Sequence, residues 1–253
     1  ALFLEFNKVG DKGLQALAES QFLKNLTVLN LFKNVVTDEG VSHLAGSKNF
    51  LNLSELILSD NKITAKGAKS IAGSNVLANL VSLWIGDSLG DEGAQAIAES
   101  KFLTRLNLLS LYRNNIGNEG VMALAKSTNL SKLTELNLNW NYIEWEGIEA
   151  LANSEAMQNL KQLTLTYNPL GNRGAKAIAE SKVFKNLVHL DLYETDISEK
   201  GARAIAESKT LANLETLILI HNDINEEVQG LIKNSPHLKK LTKVMFRLAS
   251  SAA

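Results

Sequence analysis

Cysteine is absent from all 253 residues. That removes disulfides, thiolate metal sites and a catalytic thiol. An excess of charge is missing too. The 26 basic and 27 acidic residues leave a formal net charge of −1, so nothing draws the chain to nucleic acid or an anionic membrane. No apolar run reaches the roughly 18 residues of a membrane-spanning helix. Signatures of chemistry are missing as well: there is no G-x-x-x-x-G-K-S/T, no H-E-x-x-H and no G-x-S-x-G. Gly86, Gly90 and Gly93 are turn glycines, not a phosphate cradle. Ala1 starts no signal peptide, and it is expected to lie inside a longer protein.

What the chain has instead is a repeat. Leu109-Ser110-Leu111-Tyr112-Arg113-Asn114-Asn115-Ile116-Gly117-Asn118-Glu119-Gly120 reads L-x-L-x-x-N-x-I-x-x-x-G. Versions of it recur end to end, which signals a solenoid. Indexed by a turn residue, the repeats fall at Asn7, Asn34, Asn61, Ser88, Asn114, Asn141, Asn168, Thr195 and Asn222. Ahead of each turn come two apolar residues in alternation, such as Leu29 and Leu31 or Leu136 and Leu138, which predicts a very short strand buried on one face. The fourth repeat is one residue short, and Leu89 fills its next apolar slot. A helix of about ten residues follows, opened by a recurrent glycine (Gly13, Gly40, Gly67, Gly93, Gly120, Gly147, Gly174, Gly201) and striped with apolar residues at i, i+3 and i+4. Glycine is a poor helix former, so close approach to the neighbouring repeat is its expected reason. Nine serines, Ser20 to Ser235, occupy one slot after the helices. They are read as hydroxyls bonding back to the last helix carbonyls. The sequons at Asn25, Asn52 and Asn129 each precede a leucine of the repeat and are read as by-products of it.

One strand and one helix per repeat imply an α/β, right-handed solenoid. Helices are wider than the strand spacing of roughly 4.8 Å, so the parallel sheet is expected on the concave face and the helices on the convex one. The pattern L-x-x-L-x-L-x-x-N resembles leucine-rich repeats, giving a horseshoe of about nine 27-residue repeats. The long repeat with a full helix resembles the ribonuclease-inhibitor-like subfamily. Gly-Ala-x-x-Ile-Ala, as at Gly93, Gly174 and Gly201, is similar to the GALA-type repeats of bacterial effectors.

A single domain is expected over residues 1–248, with a C-terminal cap over about 226–248 and a disordered tail at 249–253. Val228 replaces the helix glycine there, Pro236 is expected to end the helix, and a last strand is predicted at Val244 and Phe246. At the other end the chain begins inside a strand, so a further domain or further repeats are expected before Ala1.

The residues a repeat leaves free lie between and after the strand leucines. They form a middle column, a second column two residues on, and a rim column. Eight of the 15 aromatics fall in these columns. Leucine already fills the core slots, and large aromatics with arginine mark interface hot spots. Phe32, Trp84, Tyr112, Arg113, Trp140, Tyr167, Asp191, Tyr193, Glu194 and His221 are therefore the candidate partner-binding residues. The acidic Glu5, Glu55, Asp60, Asp87, Glu135, Asp191 and Glu194 face Lys33, Arg113 and Arg247, which favours a partner with some basic surface. His189, Asp191, Glu194 and His221 gather on the last strands, yet they supply neither a metal-ligand set nor a positioned nucleophile. Their expected role is polar recognition, sensitive to pH near the histidine range.

The sequence thus predicts a non-enzymatic module, without cofactor or metal, that binds a protein partner. The resemblance to GALA-type repeats implies a bacterial effector secreted into a host cytosol, and the absence of cysteine fits a reducing compartment. By family resemblance, two alternatives are the substrate-recognition arm of a ubiquitin-ligase adaptor and a GTPase-activating leucine-rich-repeat protein. The F-box-like segment of the first and the acidic extension of the second are both missing from this sequence.

Overall fold

The computed structural model describes residues 1–247. Among them it contains ten strands and nine α-helices in alternation. The strands are β1 (Leu2–Phe3), β2 (Val28–Asn30), β3 (Glu55–Ile57), β4 (Ser82–Trp84), β5 (Leu108–Ser110), β6 (Glu135–Asn137), β7 (Gln162–Thr164), β8 (His189–Asp191), β9 (Thr216–Ile218) and β10 (Lys243–Met245). The helices are α1 (Asp11–Glu19), α2 (Asp38–Gly46), α3 (Ala65–Ala72), α4 (Gly90–Ala98), α5 (Asn118–Lys126), α6 (Trp145–Ala152), α7 (Gly171–Glu180), α8 (Glu199–Ala206) and α9 (Glu226–Lys233). The strands form one parallel sheet in sequence order. Its register stacks leucine on leucine: Leu29 on Leu56, Leu56 on Leu83, Leu83 on Leu109 and Leu109 on Leu136. Each turn of chain therefore touches chiefly its neighbours, as in any solenoid.

The core is a set of such rows. The strand leucines from Leu29 to Leu219, the post-turn residues Val36, Ile63, Ile116 and Ile143, and the inward helix residues Leu44, Ile71, Ile97 and Ile178 are all buried. The helix glycine does sit against the neighbouring repeat. A Cβ on Gly120 would lie 2.6 Å from Asp91 Oδ1, and one on Gly40 would lie 2.5 Å from Asp11 Oδ1. Those carboxylates also bind the helix start. Asp91 Oδ1 accepts from the N–H groups of Gly117 and Gly120 at 2.7 and 2.9 Å, and Asp38, Asn118 and Asn172 do the same one repeat on. Free N–H groups at a helix N-terminus want such an acceptor, and here it comes from the repeat before.

Two expectations from the sequence need correction. The slot serines do not bond back to their own helix. From Ser47 on, their hydroxyls donate at 2.5–2.6 Å to the last carbonyls of the preceding helix, Ser47 to Ala18 and Ser127 to Ala98 for example, stitching adjacent repeats. The turn residue of the fourth repeat is Asp87, not Ser88. Elsewhere the turn asparagine accepts N–H groups from the previous repeat, as Asn141 does from Asn114 and Ile116 at 3.0 Å. Asp87 donates its own N–H to Asn114 at 2.9 Å, and its carboxylate accepts from the Asn61 N–H. Ser88 bridges to Thr64, as Lys62 does to Thr37, so it stands one place past the turn. The residue missing from this repeat is its rim residue.

The sequon asparagines Asn52 and Asn129 donate to the carbonyls of Lys24 and Ser100 in the repeats before them. At the C-terminal end, α9 stops at Lys233, with Asn234 as its cap and Pro236 two residues on. Strand β10 pairs with β9. The tail expected to be disordered, 249–253, lies outside the described residues, as does residue 248.

Candidate functional site

On the rim, the backbone takes an unusual shape. Phe6, Lys33, Asp60, Arg113, Trp140, Tyr167, Glu194 and His221 all have φ between 49° and 58°. This left-handed region disfavours every residue with a Cβ, bulky ones most. Hydrogen bonds hold it in place. The N–H of Trp140 reaches the Thr166 carbonyl at 2.8 Å, Tyr167 reaches Tyr193 at 3.0 Å and Glu194 reaches Ile220 at 2.9 Å. Strain of roughly 1–3 kcal/mol per residue survives only where the surroundings fix it, and it gathers at functional sites. None of these residues is Gly or Asn, so sequence propensity gave no hint of the conformation.

The candidate residues divide into two groups. Trp140, Tyr167, Tyr193 and His221 form one continuous row of contacting rings, tilted in the first two pairs and stacked in the last. Ring centroids are 3.9 Å apart for Trp140–Tyr167, 5.3 Å for Tyr167–Tyr193 and 4.9 Å for Tyr193–His221. Trp140 remains 46% exposed. Glu194 lies 3.8 Å from His221 Nδ1, an ion pair once the imidazole is protonated. A side-chain hydrogen bond in which the Tyr167 hydroxyl donates to Tyr193, desolvation and the charge of Glu194 push that hydroxyl up to about 12. Asp191 serves the row from below: its Oδ1 accepts the Tyr193 N–H at 3.0 Å, and burial raises its carboxyl above the usual range. Asp191 therefore positions Tyr193. Among the described residues no cluster of three or more His, Asp or Glu side chains could hold a metal ion.

Phe32, Trp84 and Tyr112 stand apart from that row. They line a hollow of about 600 Å³ on the N-terminal half of the concave face, with Glu5, Ile57, Ser59 and Ser110 among its other walls. Arg113 lies on the rim next to Tyr112, exposed. Its charge partly offsets the burial and the like charge of Asp60 that push Asp87 up to about 6. Sequence reasoning placed Glu5, Ile57, Ser59 and Ser110 in the free columns without marking them as a site. It also missed Arg173, whose guanidinium lies 3.2 Å from the Trp145 ring centroid. The available signal was Trp145 itself, standing where Asp38, Asp91, Asn118 and Asn172 stand in other repeats.

A solenoid with a laddered scaffold, columns of free residues and no helix long and apolar enough to cross a membrane among the described residues is the architecture of a repeat-built binding scaffold. The family pattern described as Leucine Rich repeat matches residues 1–18, 22–45, 51–72, 99–125, 129–152 and 156–179. These matches cover more than half of the chain, which belongs to the leucine-rich repeat family. The unmatched stretch 73–98 contains the shortened turn. Proteins of this horseshoe class are typically non-catalytic scaffolds for protein–protein interaction. No curated protein matches the chain. Among solved structures, an internalin from Listeria monocytogenes is similar at 19% identity, covering 95% of this chain and 86% of that one, with a TM-score of 0.45.

Proposed function

We propose that this chain, as a single repeat domain over residues 1–248, captures a protein partner on its concave face and ascending rim. The observation that carries the reading is the row of contacting rings Trp140–Tyr167–Tyr193–His221. A solvent-facing row of aromatics on strained backbone costs stability and adds nothing to the core, whereas Trp and Tyr dominate interface energetics. Each aromatic can cover roughly 150–250 Å² on binding, so the row and the hollow together approach the roughly 800 Å² per side of a standard interface. Phe32, Trp84, Tyr112, Arg113 and Glu194 complete the surface. The finer reading is membership of the ribonuclease-inhibitor-like subfamily with GALA-type repeats, acting as a bacterial effector on a host protein in a reducing cytosol. It is supported by the four Gly-Ala-x-x-Ile-Ala segments, which begin at Gly67, Gly93, Gly174 and Gly201, and by the cysteine-free composition.

Panning a displayed random-peptide library against the folded chain tests the reading. Selected binders should lose at least about tenfold in affinity to variants carrying Trp140→Ala or Trp84→Ala. They should keep their affinity for Phe22→Ala, which removes a fully exposed aromatic outside the three columns. Binders indifferent to the columns but sensitive to Phe22→Ala would sink it.

A further inference from the structure

The hollow of the N-terminal half has a chemistry of its own. Two of its walls, Phe32 and Tyr112, stand in one column three repeats apart, roughly 14 Å by strand spacing. Between them the column carries only Ser59 and Gly86. The short repeat forces Gly86 to stay small, because a Cβ there would lie 2.3 Å from the Tyr112 carbonyl oxygen. Trp84 lines the same hollow, with its indole N–H held by Ser82 Oγ at 3.0 Å. Its polar edge is thus satisfied, leaving the ring as an apolar contact surface.

Beneath these rings lie side-chain oxygens that have no hydrogen-bond partner among the described residues. Ser59 is 6% exposed and Ser110 0%, and neither hydroxyl has a partner. One carboxylate oxygen of Glu5 is likewise buried and unpaired. Asp60, the residue after Ser59, adds a carboxylate on the rim. Two cations stand on the rim beside it: the Lys33 ammonium lies 5.2 Å from the ring centroid of Phe6, itself a wall of the hollow, and Arg113 faces Asp87. Unpaired oxygens in a partly desolvated floor leave a negative potential that water screens poorly. A cation among aromatic side chains gains from both the rings and that potential. An anionic group would be repelled, and an aliphatic one would gain nothing from the floor.

We propose that this hollow receives the arginine or lysine side chain of an extended, alternating apolar–basic segment of the partner, with the segment running across the strands from repeat to repeat. The proposal deepens the concave-face reading and rests on it. Short synthetic peptides of alternating Arg and Leu, Glu and Leu, and Ser and Leu, each labelled with fluorescein, are the probes. By fluorescence anisotropy the Arg–Leu peptide should bind at least about tenfold tighter than the other two, and more weakly as salt rises. Trp84→Ala and Glu5→Gln should each weaken it by about fivefold or more without lowering Tm, while Phe22→Ala leaves it unchanged. If Trp84→Ala lowers Tm, Asp60→Asn reads the charge contribution on an intact scaffold and should weaken the same peptide. Equal binding of the three peptides, no binding by any of them, or an Arg–Leu affinity insensitive to all of these variants overturns the proposal. Arg–Leu binding that falls with Tyr193→Ala but not with Trp84→Ala also overturns it, while leaving the concave-face reading standing.

Discussion

At the scale of single residues, Asp87 carries the most information. In every repeat after the first whose turn residue is asparagine, the side chain both accepts and donates. Asn141 accepts the N–H of Ile116 and donates its amide to the carbonyls of Leu111 and Leu138 at 3.0 and 2.8 Å. An ionised carboxylate can only accept. Asp87 therefore has a buried oxygen with no partner where its neighbours place an NH₂. Protonation would turn that oxygen into a donor, in keeping with the carboxyl being pushed up from 3.8 to about 6 by burial and by Asp60. The folded chain holds this proton to higher pH than the unfolded one. Its contribution to stability is thus fully present below about pH 4 and is lost as pH rises through about 6. Asp87→Asn restores the donor at all pH values. The variant should be more stable than the parent by about 1 kcal/mol at pH 7, with the difference shrinking toward pH 4 in urea unfolding. An equal difference at both pH values would show that the carboxyl does not titrate with folding. Sequence spacing could not find this residue, because a one-residue deletion can be placed on either side of Asp87. Only the hydrogen-bond partners decide.

At the scale of elements, strands and helices were legible and their attachments were not. Alternating leucines and an i, i+3, i+4 stripe specify a strand and a helix by local period alone. Local caps hold only some of the helix starts: Thr37, Thr64 and Asn225 accept an N–H from the first turn of their own helices, and Ser198 does not. The stronger acceptor is the residue one repeat earlier, 26 to 29 positions away, and no local pattern reports a contact at that distance. Asp91 holds the first turn of α5 through two N–H groups. Asp91→Ala should cost about 1–2 kcal/mol in chemical unfolding. Asp91→Asn keeps the acceptor and copies Asn118 and Asn172, so it should cost less than about half of that. If the two variants prove equally destabilised, the charge and not the hydrogen bond is what matters at this junction. The same long-range logic hid the rim. Phe32, Trp84 and Tyr112 were named from column membership, but column membership could not say that they wall a hollow while Trp140, Tyr167, Tyr193 and His221 form a row of contacting rings.

At the scale of the molecule, a solenoid is close to a one-dimensional chain of nearest-neighbour interfaces, so local stability follows the unbroken rungs between repeats. The turn ladder runs through Asn114, Asn141 and Asn168 without interruption. It is altered before that run by Asp87. It is broken after it, where Thr195 donates its hydroxyl to the Leu192 carbonyl of its own repeat and Pro169 has no N–H to give. The best-laddered repeats are therefore the fifth to seventh, which also carry the strained rim residues Arg113, Trp140 and Tyr167. The left-handed rim backbone itself does not follow the ladder, since it recurs at Phe6, Lys33, Asp60, Glu194 and His221. Native-state hydrogen exchange should accordingly find its slowest turn amides at Asn114, Ile116 and Ile143, with faster exchange at Val9, Val36 and Ile197. Protection that peaks in the first three or the last two repeats would mean that the ladder does not set local stability. In that case the rigidity needed to present Trp140 and Tyr167 would have to come from the leucine rows alone, which are as complete in the fourth and eighth repeats as in the sixth.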